Sequence, residues 1–202
     1  MLIIQALIAL GTLSVAVMAI WGVPIRAKFL PPKVKIIGHN MEGILTSYSN
    51  GPRVIYYHLK VENHRLWLPI KDCRVLLKQI SKKGPDGQFH FLALKVPHQF
   101  VWSPKNFTPL EVTVTKEQTF DFGHLDEGGD KWLPELYWYP NNFEGWVGKN
   151  EAVRYSLEIS GVECSQNRYQ VFEVAWDGAW KENIDEMKRH LIIREIDPTS
   201  NE

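Results

Sequence analysis

An all-β fold is the class this sequence predicts: a single antiparallel β-sandwich behind one N-terminal transmembrane helix, with one short C-terminal helix. Three observations carry that prediction. Several segments alternate apolar and polar residues with period two, tight-turn residues separate them, and no charged side chain occurs in the first 25 residues. The chain has 202 residues, 45% of them hydrophobic and 12% aromatic, which suffices for one ordinary domain with a sizeable core.

The opening element runs from Leu2 to Ile25, where Gln5, Thr12 and Ser14 are the clearly polar residues. About 20 apolar residues at 1.5 Å rise cross a hydrocarbon layer of about 30 Å. Trp21 stands near the far end, where an amphipathic ring prefers the interface, and Pro24 is expected to stop the helix. No Lys or Arg precedes the apolar run, and the run continues past the small residues Ser14–Ala16, so retention as an anchor is expected rather than cleavage as a signal. Arg26, Lys28, Lys33 and Lys35 follow the span before the first acidic residue, Glu42. Cations flanking a span favour the cytoplasmic side, which places the amino terminus outside and the domain inside; an extracytoplasmic domain is the alternative. Residues 1–25 are thus read as the anchor and membrane lipid as its partner. Residues 26–35, including Pro31 and Pro32, form a basic, stiff spacer. The sandwich occupies 36–196 and a polar tail 197–202.

Within the sandwich, "RVIYYHLKVEN" sets Ile55, Tyr57, Leu59 and Val61 against Tyr56, His58, Lys60 and Glu62. "LEVTVT" and "AVRYSLEIS" alternate in the same way, with Leu110, Val112 and Val114 and then Val153, Tyr155, Leu157 and Ile159 on the apolar side. One buried and one solvated face is the mark of antiparallel sheet. Further strands are expected in "KVKIIG", "DCRVLLKQI", "QFHFLALKV", "QTFDF", "ELYWY" and "RYQVFEVAW", and Pro85-Asp86-Gly87 is a tight-turn signal between two of them. "KENIDEMKRHL" predicts about three helical turns with Ile184, Met187 and Leu191 on one side. Seven to nine strands and little helix point to a sandwich of the immunoglobulin-like or a related kind. Asn63, at the end of one strand, is expected to act architecturally by bonding locally in the turn that follows.

The chemistry-bearing residues exclude more than they assign. Charges balance at 23 basic and 23 acidic, and no basic stripe suited to nucleic acid appears. Glycine-rich phosphate loops, a Gly-x-Ser-x-Gly elbow, His-Glu-x-x-His and Cys-x-x-Cys are missing from the sequence, so no catalytic residue, metal ligand or cofactor is assigned and no enzyme is expected. His58 and His90 on facing strands, or the acidic turn with Asp121, Asp126, Glu127 and Asp130, are the places where a metal-dependent hydrolase would have to be built. Cys73 and Cys164 are expected as buried free thiols; a disulfide between them would favour the extracytoplasmic alternative. The Asn106–Thr108 sequon is read as chance. The unusual feature is aromatic content. Trp132, Tyr137, Trp138, Tyr139 and Trp146, in a segment expected to be loop, together with Trp176 and Trp180, either plug the end of the sandwich or form the contact surface for a protein partner. The function expected is a non-catalytic binding or accessory module held at a membrane.

Overall fold

The computed structural model describes residues 2–29, 33–48, 51–104, 112–162, 164–165 and 169–197. The proline pair, the Asn106–Thr108 sequon, Leu110 and residues 198–202 lie outside the described residues. Helix α1 spans Leu2–Phe29, and its stretch Ile3–Gly22 is long and apolar enough to cross a membrane, with none of it buried against the domain. Pro24 does not end the helix, contrary to expectation. Its fixed φ is compatible with helix and forfeits one backbone donor.

Fourteen strands follow in the described residues: β1 Val34–Ser47, β2 Arg53–Asn63, β3 Ile70–Lys83, β4 Phe89–Leu92, β5 His98–Gln99, β6 Val101–Trp102, β7 Val112–Val114, β8 Glu117–Asp126, β9 Lys131–Pro134, β10 Val147–Gly148, β11 Glu151–Val162, β12 Cys164–Ser165, β13 Gln170–Trp176 and β14 Leu191–Ile196. They form two antiparallel sheets. The first has the order β1-β2-β8-β9-β10, with β6 also on β8. The second has the order β14-β13-β11-β3-β4, with β12 on β11 and both β5 and β7 on β3.

The period-two strands define the core as the sequence indicates. Ile55, Tyr57, Leu59 and Val61 of β2, and Val153, Tyr155, Leu157 and Ile159 of β11, are buried in one cluster shared by both sheets. Aromatic rings join the layers: Phe122 of β8 lies 5.8 Å from Tyr155 and 5.9 Å from Phe172 of the second sheet, and Trp132 lies 5.6 Å from Tyr155. The Gly84–Gln88 turn closes β3 onto β4, with Gly87 at φ +82, a conformation open to glycine.

Several elements depart from expectation. "ELYWY" is not a strand; Leu136 makes an isolated bridge to Phe100. The segment expected to be loop contains β9 and β10, so Trp132 is a core strand residue. "QFHFLALKV" yields four strand residues, and β5 and β6 arise in "HQFVW", which is too short to show a period. The C-terminal helix α2 is one turn, Ile184–Met187, started by the Asn183 side chain, which accepts from the amides of Asp185 and Glu186. Leu191 belongs to β14 instead, because Leu191 and Ile193 alternate with exposed Ile192 and Arg194 and pair with β13.

Candidate functional site

A polar cluster lies on the outer face of the first sheet, and β2 supplies its centre. Tyr57 points into the core, so Tyr56 and His58 point out. Strand β8 pairs with β2 through a register shift between Tyr57 and His58, where Phe122 is the extra residue. That bulge turns Asp121 and His124, three residues apart, onto the same outer face. Opposite His124, Leu133 of β9 leads to Glu135, whose backbone amide donates to the carbonyl of Phe122 at 3.1 Å.

Two imidazole–carboxylate pairs result. His58 Nε2 lies 3.1 Å from Asp121 Oδ1, and His124 Nδ1 lies 2.6 Å from Glu135 Oε2; each imidazole side chain is 13% exposed and each carboxylate 6%. The Tyr56 ring sits between them, 5.5 Å from His124 and 6.3 Å from His58, with its hydroxyl 3.3 Å from that of Tyr48. Burial raises the Tyr56 phenol far above its ordinary pKa, and the Tyr48 hydrogen bond and the charges of Glu135 and Asp121 push the same way. Each carboxylate lies at ion-pair distance from its imidazole. The cluster therefore presents two imidazole rings beside carboxylates and a protonated phenol at a partly covered surface, an arrangement suited to holding polar groups.

Beside this cluster the chain turns outward. Tyr137 N donates to Gln99 O, which ties the 134–139 segment to β5. The Tyr139 hydroxyl donates to Pro134 O at 2.5 Å. Trp138 is 57% exposed and stands edge-on to buried His98 at 5.9 Å. Burial lowers the His98 pKa, which favours the neutral ring beside the indole.

The aromatic residues expected to act together are divided by the structure. Trp138 and Tyr139 form an exposed pair, and Tyr137 is half-buried beside them. Trp132 and Trp176 are buried core residues and offer no surface for a partner, a correction to the grouped contact patch. Trp146 and Trp180 pack against the core with cations over their rings, Lys131 at 4.8 Å and Arg53 at 5.2 Å. The underlying reason is that β9 and β13 need large side chains at their inward positions.

The postulated hydrolase groupings are not assembled. His58 is in the first sheet, whereas His90 sits on β4 of the second and contacts Asp86 of its own hairpin at 2.9 Å. In the acidic turn, Asp121 faces His58 and Glu127 is held by Arg53, whose side chain forms two contacts with it. Among the described residues, no three His, Cys, Asp or Glu side chains are grouped to hold a metal ion. Cys73 and Cys164 are free and buried. Burial, and then the neighbouring Cys164 thiol, push the Cys73 thiol up to about 12. A surface cleft of about 550 Å³ lies elsewhere, between the β3–β4 turn and the β13–β14 connection, and is open and lined by mixed charges including Lys83, Glu151, Arg189 and His190.

Sequence reasoning places Tyr56 and His58 on one face but misses their partners. The signal for Asp121 and His124 is masked by the bulge, and Glu135 joins through a contact between chain-distant segments. Against known protein families, curated proteins and solved structures, the chain matches none.

Proposed function

We propose that this chain is a single-pass membrane-anchored β-sandwich, of the immunoglobulin-like or a related kind, that acts as a non-catalytic binding module for a protein partner. The anchoring reading rests on α1: twenty residues, Ile3–Gly22, remain apolar and wholly outside the folded body, which a water-soluble core helix would not tolerate. The cations after the span favour a cytoplasmic domain. The binding reading rests on the exposed Trp138–Tyr139 pair, held rigidly by backbone bonds to β5 and flanked by the Tyr56 cluster. Large rigid aromatics next to polar groups are what protein interfaces use as anchors.

Trp138→Ala is the direct test. Crosslinking and recovery of the partner from membranes is expected to fall by about tenfold or more, the loss typical of an anchoring indole. The thermal midpoint of the domain is expected to stay close to that of the parent chain, because the indole is more than half exposed. Unchanged recovery removes this surface as the contact. Protease protection of a C-terminal tag in intact and opened cells tests the side: protection in intact cells agrees with a cytoplasmic domain, and digestion places the domain outside.

A further inference from the structure

The turn between β2 and β3 carries an apolar dipeptide where turns ordinarily carry Gly, Pro, Asn, Asp or Ser. Leu68 N donates to Arg65 O at 2.9 Å, which makes Leu66 and Trp67 the two central residues of a β-turn. They are 57% and 51% exposed, while Leu68 next to them is buried. The turn is built, not loose. Buried Asn63 accepts from Arg65 N at 2.9 Å and donates through its amide to Leu68 O at 2.9 Å and to Thr115 O at 3.2 Å. Its backbone amide donates to Lys116 O at 2.7 Å.

The position of this turn identifies what meets it. His64 N donates to Lys33 O at 2.8 Å, and Val34 pairs with Asn63, so the turn flanks the point at which the chain enters the body from α1. After Gly22 the helix continues to Phe29, about 10 Å at helical rise, and at most about 14 Å of extended chain then reaches Lys33. The headgroup zone of one leaflet is itself about 5–8 Å deep. That length keeps the two-residue apolar tip within reach of the membrane surface. Two exposed cations, Lys33 and Lys116, border it. The acids near it are Glu62, 3.8 Å from His64, Glu117, on Lys60 at 3.2 Å, and exposed Asp72 at the start of β3.

We propose that Leu66 and Trp67 insert into the headgroup layer of the membrane that α1 spans, with Lys33 and Lys116 against anionic lipid phosphates, fixing the tilt of the domain. The indole takes the interfacial position that aromatic belts occupy, and the cations lie where anionic headgroups are. This inference rests on the anchored reading of α1.

The test uses the full chain in phosphatidylcholine vesicles, with and without phosphatidylserine. Flotation is measured first, then the emission of an environment-sensitive dye on Leu66→Cys; the native cysteines are buried and remain unlabelled. Asp86→Cys is the control, because β3 runs from Ile70 beside the turn to Lys83 and so carries Asp86 to the far end. Expected is blue-shifted emission at position 66, quenched by headgroup-proximal spin-labelled lipid and stronger with phosphatidylserine, with no quenching at position 86. A chain that does not float overturns the anchor and this inference together. A chain that floats while the dye at 66 stays water-like, or is blue-shifted without lipid quenching, overturns the insertion and leaves the anchor standing. Trp67→Cys, labelled in the same way, guards against a local effect of one label.

Discussion

Glu173 shows how a single carboxylate can be held inside the rim of a sheet. It is buried on β13 and receives Arg154 Nε at 2.8 Å and Arg194 Nε at 3.0 Å, and Arg154 in turn lies 3.8 Å from the Phe89 ring. Burial opposes ionisation, but the hydrogen bonds from Arg154 and Arg194 outweigh it and hold the carboxyl below its ordinary pKa. The stabilisation is therefore present above the unfolded carboxylate pKa and disappears as pH falls through the lowered one. Glu173→Ala is expected to cost about 1–2 kcal/mol at neutral pH, since it removes the buried acceptor of two charge-assisted hydrogen bonds, and Glu173→Gln to flatten the acid side of the stability profile; urea midpoints across pH measure both. Gly123 is a residue of the opposite kind. A Cβ there would run into the Trp132 ring and approach Leu133 O at 2.5 Å. Gly123→Ala is expected to destabilise by about 1–3 kcal/mol and to disturb the bulge that aims His124. Neither role is legible in the sequence, since both depend on what a neighbouring strand brings alongside.

At the scale of elements, legibility follows the length of the periodic signal. Strands β2 and β11 are read from sequence because each alternates for about ten residues and keeps one face dry. Strands β5, β6 and β10 are two residues long and are created by their partners, which no local pattern records. Helix α2 shortens to one turn because the β13 edge takes up Leu191–Ile196 in a six-rung pairing that the isolated helical pattern cannot foresee. Half of the candidate site is legible for the same reason: Tyr56 and His58 follow from the β2 period, while Asp121 and His124 depend on a bulge and Glu135 on an irregular segment. The β2–β3 turn offers a direct measurement. Asn63→Ala removes three hydrogen bonds made by its side chain and is expected to cost about 2 kcal/mol or more, with faster amide exchange at Arg65 and Leu68.

For the whole molecule, the alkaline side of the stability curve is set by the shared core. The Cys73 thiol is pushed up to about 12 by burial, and buried Tyr57 and Tyr155 are raised as well, also by burial. These groups stay protonated in the folded chain while the unfolded chain ionises. Stability is complete below the ordinary thiol and phenol range and is expected to fall as pH climbs from about 9 towards 12, measured as a declining thermal midpoint. In the same folded state, a thiol reagent at pH 8 is expected to modify neither cysteine until denaturant is added. The two-layer antiparallel class is legible in the sequence at this scale because alternation and turn residues act over the whole chain. Which strands neighbour one another is not, since that order depends on non-local pairing.

Strand β1 lies at the edge of its sheet, and its free side is latched by Gln170 of the other sheet, which accepts from Ile36 N at 2.6 Å and donates to Ile36 O at 2.8 Å, beside the Lys35–Glu195 ion pair at 3.3 Å. Because α1 leads directly into β1, a pull transmitted from the anchor loads this latch first and then opens the β1–β2 rungs one at a time, like a zipper rather than a sheared seam. The body would yield first at that corner, leaving β2, which carries Tyr56 and His58, exposed along the edge that β1 vacates.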